Sequence, residues 1–395
     1  MTKDLSAIMN HGITEIQPSS ILAFNQEISS IEGIIKLTLG EPDCNTPDHV
    51  KQAAIKAIEN NDSHYTNSRG TIELRQAASH FLNKKYGLDY DPTDSIIITA
   101  GATGSIYSAL TAILNPGDSV IIPTPIFPFY IPVTKINGGN PIFVDTSDDG
   151  FILTPEKLEK AIEDSNGTAK AIILNFPTNP TGVTYSKDDL EKLAAVLKKH
   201  DIFVLSDEIY SELTYEGTHT SMGTILPDQT LVISGVSKSH AMTGWRIGFI
   251  CGPAPIINEI AKVSEFTITS PTANAQAAAT EALENGMDDA LPMKEEYRKR
   301  RDLLVKGLAE AGFTCPTPKG AFYVFAKIPT FLTQNSDQFC HELAHEAKVA
   351  LIPGSSFGLG GEGHVRISYA ASEEDLTEAV KRIKKYVNEK QGVTP

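Results

Sequence analysis

Lys238 lies in SGVSKSHAMTGWRIGFICG, residues 234–252. Ser234, Gly235 and Ser237 come before it, Ser239, Ala241 and Gly244 follow, and the next basic side chain is Arg246. An amine in a small-residue, weakly charged setting loses hydration. Its pKa falls, and it becomes a nucleophile able to form an imine with an aldehyde. The same string also reads as a Ser/Gly loop without a role, so the rest of the chain has to decide. Asp207 follows the apolar run 203–205 in Ser206-Asp207-Glu208-Ile209-Tyr210. A carboxylate there is costly to bury without a cation, and no lysine or arginine adjoins it, which points to a ligand atom as its partner. Asn179 sits in NFPTNPTG, residues 175–182, a rigid turn that can aim its amide. Arg366, in GHVRIS, shares a strand face with His364 and Ser368, where its guanidinium can fork onto a carboxylate.

These groups need elements to bring them together. From residue 94 short apolar strands (96–99, 120–122, 141–144, 170–175, 202–205, 230–233 and 246–250) alternate with helices, among them 155–164 and 187–200. That order predicts an α/β fold with a largely parallel, buried sheet, right-handed crossovers and ligands at the carboxyl ends of the strands. The first strand runs through Ala100-Gly101-Ala102-Thr103-Gly104 into a helix with Ile106, Ala109, Leu110, Ile113 and Leu114 on one face. Free N–H groups and a positive helix end beside Ala102 and Thr103 suit a phosphate. Neither G-x-G-x-x-G nor G-x-x-x-x-G-K-[ST] is matched, so a dinucleotide or nucleoside triphosphate is not indicated. Phe127 and its neighbours in PIFPFY, residues 125–130, can stack on a planar ligand or pack in the core.

Upstream, helices are expected near 19–30, at 48–59 and through Leu74, Ala78 and Leu82. In Leu39-Gly40-Glu41-Pro42-Asp43 the Gly40 amide either meets a ligand or belongs to an ordinary turn; Tyr65 lies in the polar loop 64–70. Beyond 253 the chain is mostly helical. A long exposed helix over 289–311, with Glu295–Lys299 and Glu296–Arg300 pairs, ends at Gly312 and is expected to bridge two domains. Residues 313–395 mix strands (321–326, 364–369) with helices (336–347, 373–389). The expected organisation is a large α/β domain over 45–288 and a smaller α+β domain from 1–44 and 289–395.

Composition narrows the function classes. The 395 residues are 41% hydrophobic and 21% charged, as in an ordinary globular protein, and the net charge of −15 with no basic stripe argues against nucleic acid. No stretch approaches the ~18 apolar residues of a membrane span and the start has no secretory h-region, so a cytoplasmic protein is expected. Cys44, Cys251, Cys315 and Cys340 are too dispersed for a disulfide framework or zinc ribbon. One rival motif is present: His341-Glu342-Leu343-Ala344-His345 fits H-E-x-x-H, which on a helix sets two imidazoles one turn apart as zinc ligands. A hydrolase would need a third ligand, and Glu362, in a glycine-rich loop, is a poor one. No metal is expected.

Taken together, SKSHAMTGWRIGF with NPTG and SDEIY upstream resembles the class I/II family of pyridoxal-phosphate aminotransferases, fold type I, across residues 37–370. The resemblance implies a mostly parallel seven-stranded-type sheet, pyridoxal 5'-phosphate as cofactor, and a homodimer with shared active sites. It implies that Lys238 is the Schiff-base lysine, that Asp207 pairs with the pyridinium nitrogen, and that Tyr210 and Asn179 contact the phenolic oxygen. Ala102, Thr103, Ser237 and Arg246 would hold the phosphate, Phe127 would stack on the ring, and Tyr65 would reach the phosphate in the neighbouring subunit. Gly40 and Arg366 would hold the substrate α-carboxylate. Phe127 departs from the tryptophan or tyrosine common in the family, which alters stacking but not the reaction. The implied activity is ping-pong transfer of an α-amino group between an amino acid and a 2-oxo acid such as 2-oxoglutarate. Within the family the sequence is most similar to the aminotransferase A group, to which N-acetyl-LL-diaminopimelate and lysine biosynthesis are ascribed. Carbon–sulfur β-lyases share the fold and most of these motifs and stay open as an alternative; a regulator would want a DNA-binding extension, for which the N-terminal region is too short.

Overall fold

The computed structural model describes residues 5–14 and 16–392. A two-residue strand, β1 (Ile35–Lys36), precedes the main sheet of β2 (Ile96–Ala100), β3 (Ser119–Thr124), β4 (Asn140–Asp145), β5 (Ala169–Asn175), β6 (Phe203–Asp207), β7 (Thr230–Gly235) and β8 (Ile247–Cys251). Across the sheet the order is β2-β8-β7-β6-β5-β3-β4. Strands β3 to β7 pair in parallel, whereas β8 runs antiparallel to both of its neighbours, β2 and β7. Because β8 is reversed, it begins at the edge where the others end. Arg246, immediately before it, therefore arrives beside the carboxyl ends of β2 and β7.

Apolar runs such as IIIT, VII and IIL place side chains alternately on two faces. Ile97, Ile122, Ile173, Leu205 and Ile233 enter one apolar layer with the helices Gly101–Ile113 and Ala254–Ile268. Ile98, Ile121, Ile172, Val204 and Val232 face the other way, toward helices that include Ile72–Tyr86 and Lys187–Leu197. Each such side chain, wholly removed from water, contributes about 1.5–3 kcal/mol. The sheet is not buried throughout, however: β4 lies at its margin, with Asn140, Phe143 and Asp145 exposed.

The later part of the chain supplies β9 (Tyr323–Lys327), β10 (Val349–Ala350), β11 (Ile352–Pro353) and β12 (His364–Ser368). β12 pairs antiparallel with β9 and β11, and β1 lies parallel to β10. Phe24, Ile28 and Leu37 join Tyr297, Leu304, Phe325 and Val349 in one apolar cluster. The long helix is Ala290–Glu310, and it is not exposed as expected, because Met293, Tyr297, Arg301, Leu304 and Leu308 are buried along it. Of its two expected ion pairs, Glu296–Arg300 forms at 3.1 Å, but Glu295 turns to Arg298 at 2.8 Å instead of Lys299. Gly312, at φ +85°, follows it in the left-handed region that favours glycine. Among the described residues no helix is long and apolar enough to cross a membrane, and the four cysteines are free.

Candidate active site

A cavity of about 820 Å³ opens at the carboxyl edge of the main sheet. Its wall includes Gly40, Ala102, Thr103, Phe127, Asn179, Asp207, Tyr210, Ser237, Lys238, Arg246 and Arg366. Tyr65, expected to serve a neighbouring subunit, is outside this cavity: it is 86% exposed and lines a separate depression with His64, Pro271 and Asn274.

Lys238 sits in the helical turn Val236–Ser239 that directly follows β7. That turn packs close to the sheet, since a Cβ on Gly235 would lie 2.9 Å from the Gly248 Cα. The Lys238 Nζ donates to the Gly40 carbonyl at 2.6 Å and stands 5.7 Å and 5.9 Å from the ring centres of Tyr210 and Phe322. Burial is the main cause that lowers its pKa to about 8; Glu41 and Asp207 oppose the shift, while Arg246 and Arg366 assist it. The setting is thus not weakly charged. Burial outweighs four charges that partly cancel.

Asp207 is buried at the end of β6. Its Oδ2 accepts from the Tyr130 hydroxyl at 2.7 Å and its Oδ1 from the Ile209 amide at 3.2 Å. Burial still carries its pKa up to about 6. A ligand atom is therefore not its sole partner. Tyr130, wholly buried, was missed because it lies far from Asp207 in sequence, although the aromatic segment 125–130 contains it. The variant Tyr130→Phe removes a hydrogen bond to the ionised form, so the Asp207 pKa is expected to rise above about 6. Carboxyl ¹³C titration of the cofactor-free protein tests this, and an unmoved midpoint would show that the hydroxyl does not tune the carboxylate.

Neighbouring Glu208, also missed as a structural group, turns the other way. It accepts from Ser206, Ser221 and the Met222 amide at 2.7–3.1 Å and meets the His219 Nε2 at 2.7 Å. This buried network anchors the β6 end that carries Asp207.

Two cationic ends flank these groups. Arg246, at φ +55°, donates from Nη2 to the Thr103 hydroxyl at 3.0 Å and from Nη1 to the Thr243 carbonyl at 2.9 Å. It can lie against the start of helix Gly101–Ile113 because Gly101 has no side chain: a Cβ there would come within 2.4 Å of Nη2. At the other end Arg366, buried on β12, donates to Asn179 Oδ1 at 3.0 Å and to the Thr38 carbonyl at 2.7 Å. Its guanidinium lies 4.6 Å from the Tyr323 ring centre, and its buried Nε has no hydrogen-bond partner. The Tyr323 hydroxyl in turn meets that of Tyr210 at 2.8 Å. Asn175 ties the turn to β6: its amide donates to the Asp207 carbonyl, and its Oδ1 accepts from the Asn179 amide. Phe127 is partly buried and stacks on Phe129 at 6.0 Å.

The H-E-x-x-H helix, Ser336–Glu346, is engaged otherwise. Phe339 and Leu343 are buried, His341 meets Glu27 at 3.3 Å, and Glu362 accepts from the backbone and hydroxyl of Ser336 at the helix start. Among the described residues no cluster of three histidine, cysteine or acidic side chains could hold a metal.

Residues 32–383 match the family described as aminotransferase class I and II. The chain belongs to that family. It is a pyridoxal-phosphate-dependent aminotransferase, acting on amino and 2-oxo acids. The aminotransferase is 46% identical to a probable N-acetyl-LL-diaminopimelate aminotransferase of Bacillus subtilis (strain 168), over 97% of each chain. It is 38% identical to aromatic-amino-acid aminotransferase 2 of Thermococcus litoralis, over 96% of this chain and 98% of that one. The solved aspartate aminotransferase from Rhizobium meliloti superposes with a TM-score of 0.91 at 37% identity, covering 96% of this chain and 98% of its own.

The aminotransferase cavity suits its cofactor chemically. A guanidinium over a glycine at a helix start offers charge and N–H groups to a phosphate. A buried carboxylate suits a protonated ring nitrogen, and a partly neutral amine suits an aldehyde.

Proposed function

We propose that the enzyme moves an α-amino group from a long-chain donor amino acid to 2-oxoglutarate by a ping-pong mechanism, with N-acetyl-LL-diaminopimelate as the donor to test first. The observation that carries this reading is the convergence of Lys238, Asp207, Arg246 and Arg366 on one cavity. The donor is supported by the activity named for the 46% identical relative.

In this reading Ala102, Thr103, Ser237 and Arg246 hold the cofactor phosphate, and Phe127 lies against its ring. Asp207 meets the ring nitrogen, while Tyr210 and Asn179 meet the phenolic oxygen. Tyr65, exposed on each chain, reaches the phosphate of a partner subunit in a homodimer. When bound, pyridoxal phosphate supplies a ring into which the electron pair left on the substrate α-carbon can spread. The protein supplies position and proton movement. Arg366, which lines the cavity, binds the substrate α-carboxylate with help from the backbone at Gly40. The Lys238 Nζ then takes the proton from the substrate α-carbon, a task suited to an amine whose pKa lies near the working pH. Residues 45–288 form the cofactor-binding domain in this proposal, and 1–44 with 289–395 form the smaller domain. The pairing of β1 with β10 supports grouping 1–44 with the later residues, although their apolar cluster also takes in Ile209, Tyr210 and Leu213 of the larger part.

The test is a screen of amino donors against 2-oxoglutarate, scored for glutamate. Glutamate in step with the donor's oxo acid is expected, with N-acetyl-LL-diaminopimelate among the best donors. Pyruvate and ammonia from cysteine conjugates, without glutamate, would instead mean elimination.

A further inference from the structure

We propose that the cavity wall formed by helix Tyr130–Ile136 and the 16–22 segment is a subsite for the far end of a long donor amino acid, in which Lys135 binds a distal carboxylate. This rests on the amino-transfer reading above and specifies which donors that same site takes.

Five charged side chains line the cavity: Lys135, Asp207, Lys238, Arg246 and Arg366. Four of them have partners within the protein. The Lys135 ammonium has neither a hydrogen bond nor a carboxylate partner among the described residues. Its direction follows from its helix. Tyr130, Val133 and Thr134 are buried, so Ile131 and Lys135, one turn apart, share the face that lines the cavity. Gly12 helps to fix this place, since a Cβ on it would lie 3.3 Å from the Lys135 carbonyl.

The rest of that wall holds no other cation. Ile16, Ile21, Leu22, Leu39 and Ile131 offer surface for methylenes, and the polar groups among them, Gln17, Ser19, Ser20, Asn25 and Thr38, carry no charge. In the reading above Arg366 takes the α-carboxylate, Arg246 the phosphate and Lys238 is the reacting amine, so Lys135 is the cation left for the other end of the donor. A short dicarboxylate that does not reach Lys135 leaves its second charge without a cationic partner. An amino acid with a longer chain ending in a carboxylate carries that charge to Lys135. Gln17, which lines the same stretch, adds an amide that can meet an N-acyl group near that end.

The experiment compares kcat/KM for 2-aminopimelate and 2-aminoheptanoate, which differ in the terminal carboxylate, with 2-oxoglutarate as acceptor. In the wild-type enzyme the dicarboxylate is expected to be preferred. That ratio is expected to fall about tenfold in Lys135→Gln, as for loss of one charged hydrogen bond, and to recover in Lys135→Arg. If Lys135→Gln does not fold, the wild-type ratio still decides, because a preference carried by an ion pair shrinks as ionic strength rises. A ratio unchanged by the substitution, or a wild-type preference indifferent to salt, overturns the subsite. Glutamate formed from both donors with an invariant ratio sinks only the role of Lys135, whereas no glutamate from any donor sinks the amino-transfer reading as well.

Discussion

In Lys238→Ala, amino transfer is expected to fall by roughly 10⁴-fold or more, because one substitution removes both the attaching nucleophile and the base that moves the α-proton. Fold and cofactor retention are expected to survive, since the proposed phosphate contacts from Arg246, Thr103 and the helix start do not involve this side chain. The variant should hold cofactor that borohydride cannot fix to the protein, where the wild type becomes permanently labelled. Retained turnover would refute the assignment of Lys238. The same amine predicts a pH dependence. Its pKa is depressed to about 8, so the neutral form that attacks an aldehyde accumulates as pH rises through about 8, well below the range of an ordinary lysine. Attachment of cofactor to the cofactor-free wild type should follow that midpoint, and a midpoint near 10 would mean that burial does not tune the amine.

Asp207→Ala should cost about 10³-fold in the rate of the first half-reaction, since a carboxylate aimed at developing charge in a dry site is among the larger single contributions to catalysis. Single-turnover mixing with donor alone reads this directly. Cofactor retention is expected to change little, which separates loss of chemistry from loss of binding. An unchanged half-reaction rate would mean that the ring nitrogen has another partner. The distinction from Tyr130→Phe is useful: the hydroxyl tunes a carboxylate that remains present, so its effect is a shifted titration and a smaller loss of rate.

Much of the architecture was legible because it rests on local patterns. Helices Asp48–Glu59 and Pro155–Asp164 have the bounds that periodicity and breakers indicate, and the seven main strands are within a few residues of their apolar runs. Strand-end groups were legible for the same reason. Parallel strands bring their carboxyl ends to one edge, so Asp207, which ends a strand, and Thr103, Asn179 and Lys238, which each follow one, must come together there.

What the chain alone could not say concerns partners distant in sequence. Tyr130 meeting Asp207, Arg366 meeting Thr38 and Asn179, and Gly40 accepting from Lys238 are all products of packing. Glu295 choosing Arg298 over Lys299 shows the same limit within one helix, where two neighbours at similar spacing compete and rotamers decide. Tyr65, expected to act in a neighbouring subunit, lies exposed outside the cavity of its own, a placement that only the fold supplies. The amino-acid order by itself determined which reactive groups the enzyme has and which strand ends carry them, because strand alternation and motif spacing are properties of neighbouring residues. Only the tertiary structure decided how acidic Lys238 is, who holds Asp207 and where Arg246 arrives, because burial and the reversal of β8 arise from contacts between segments far apart in the chain.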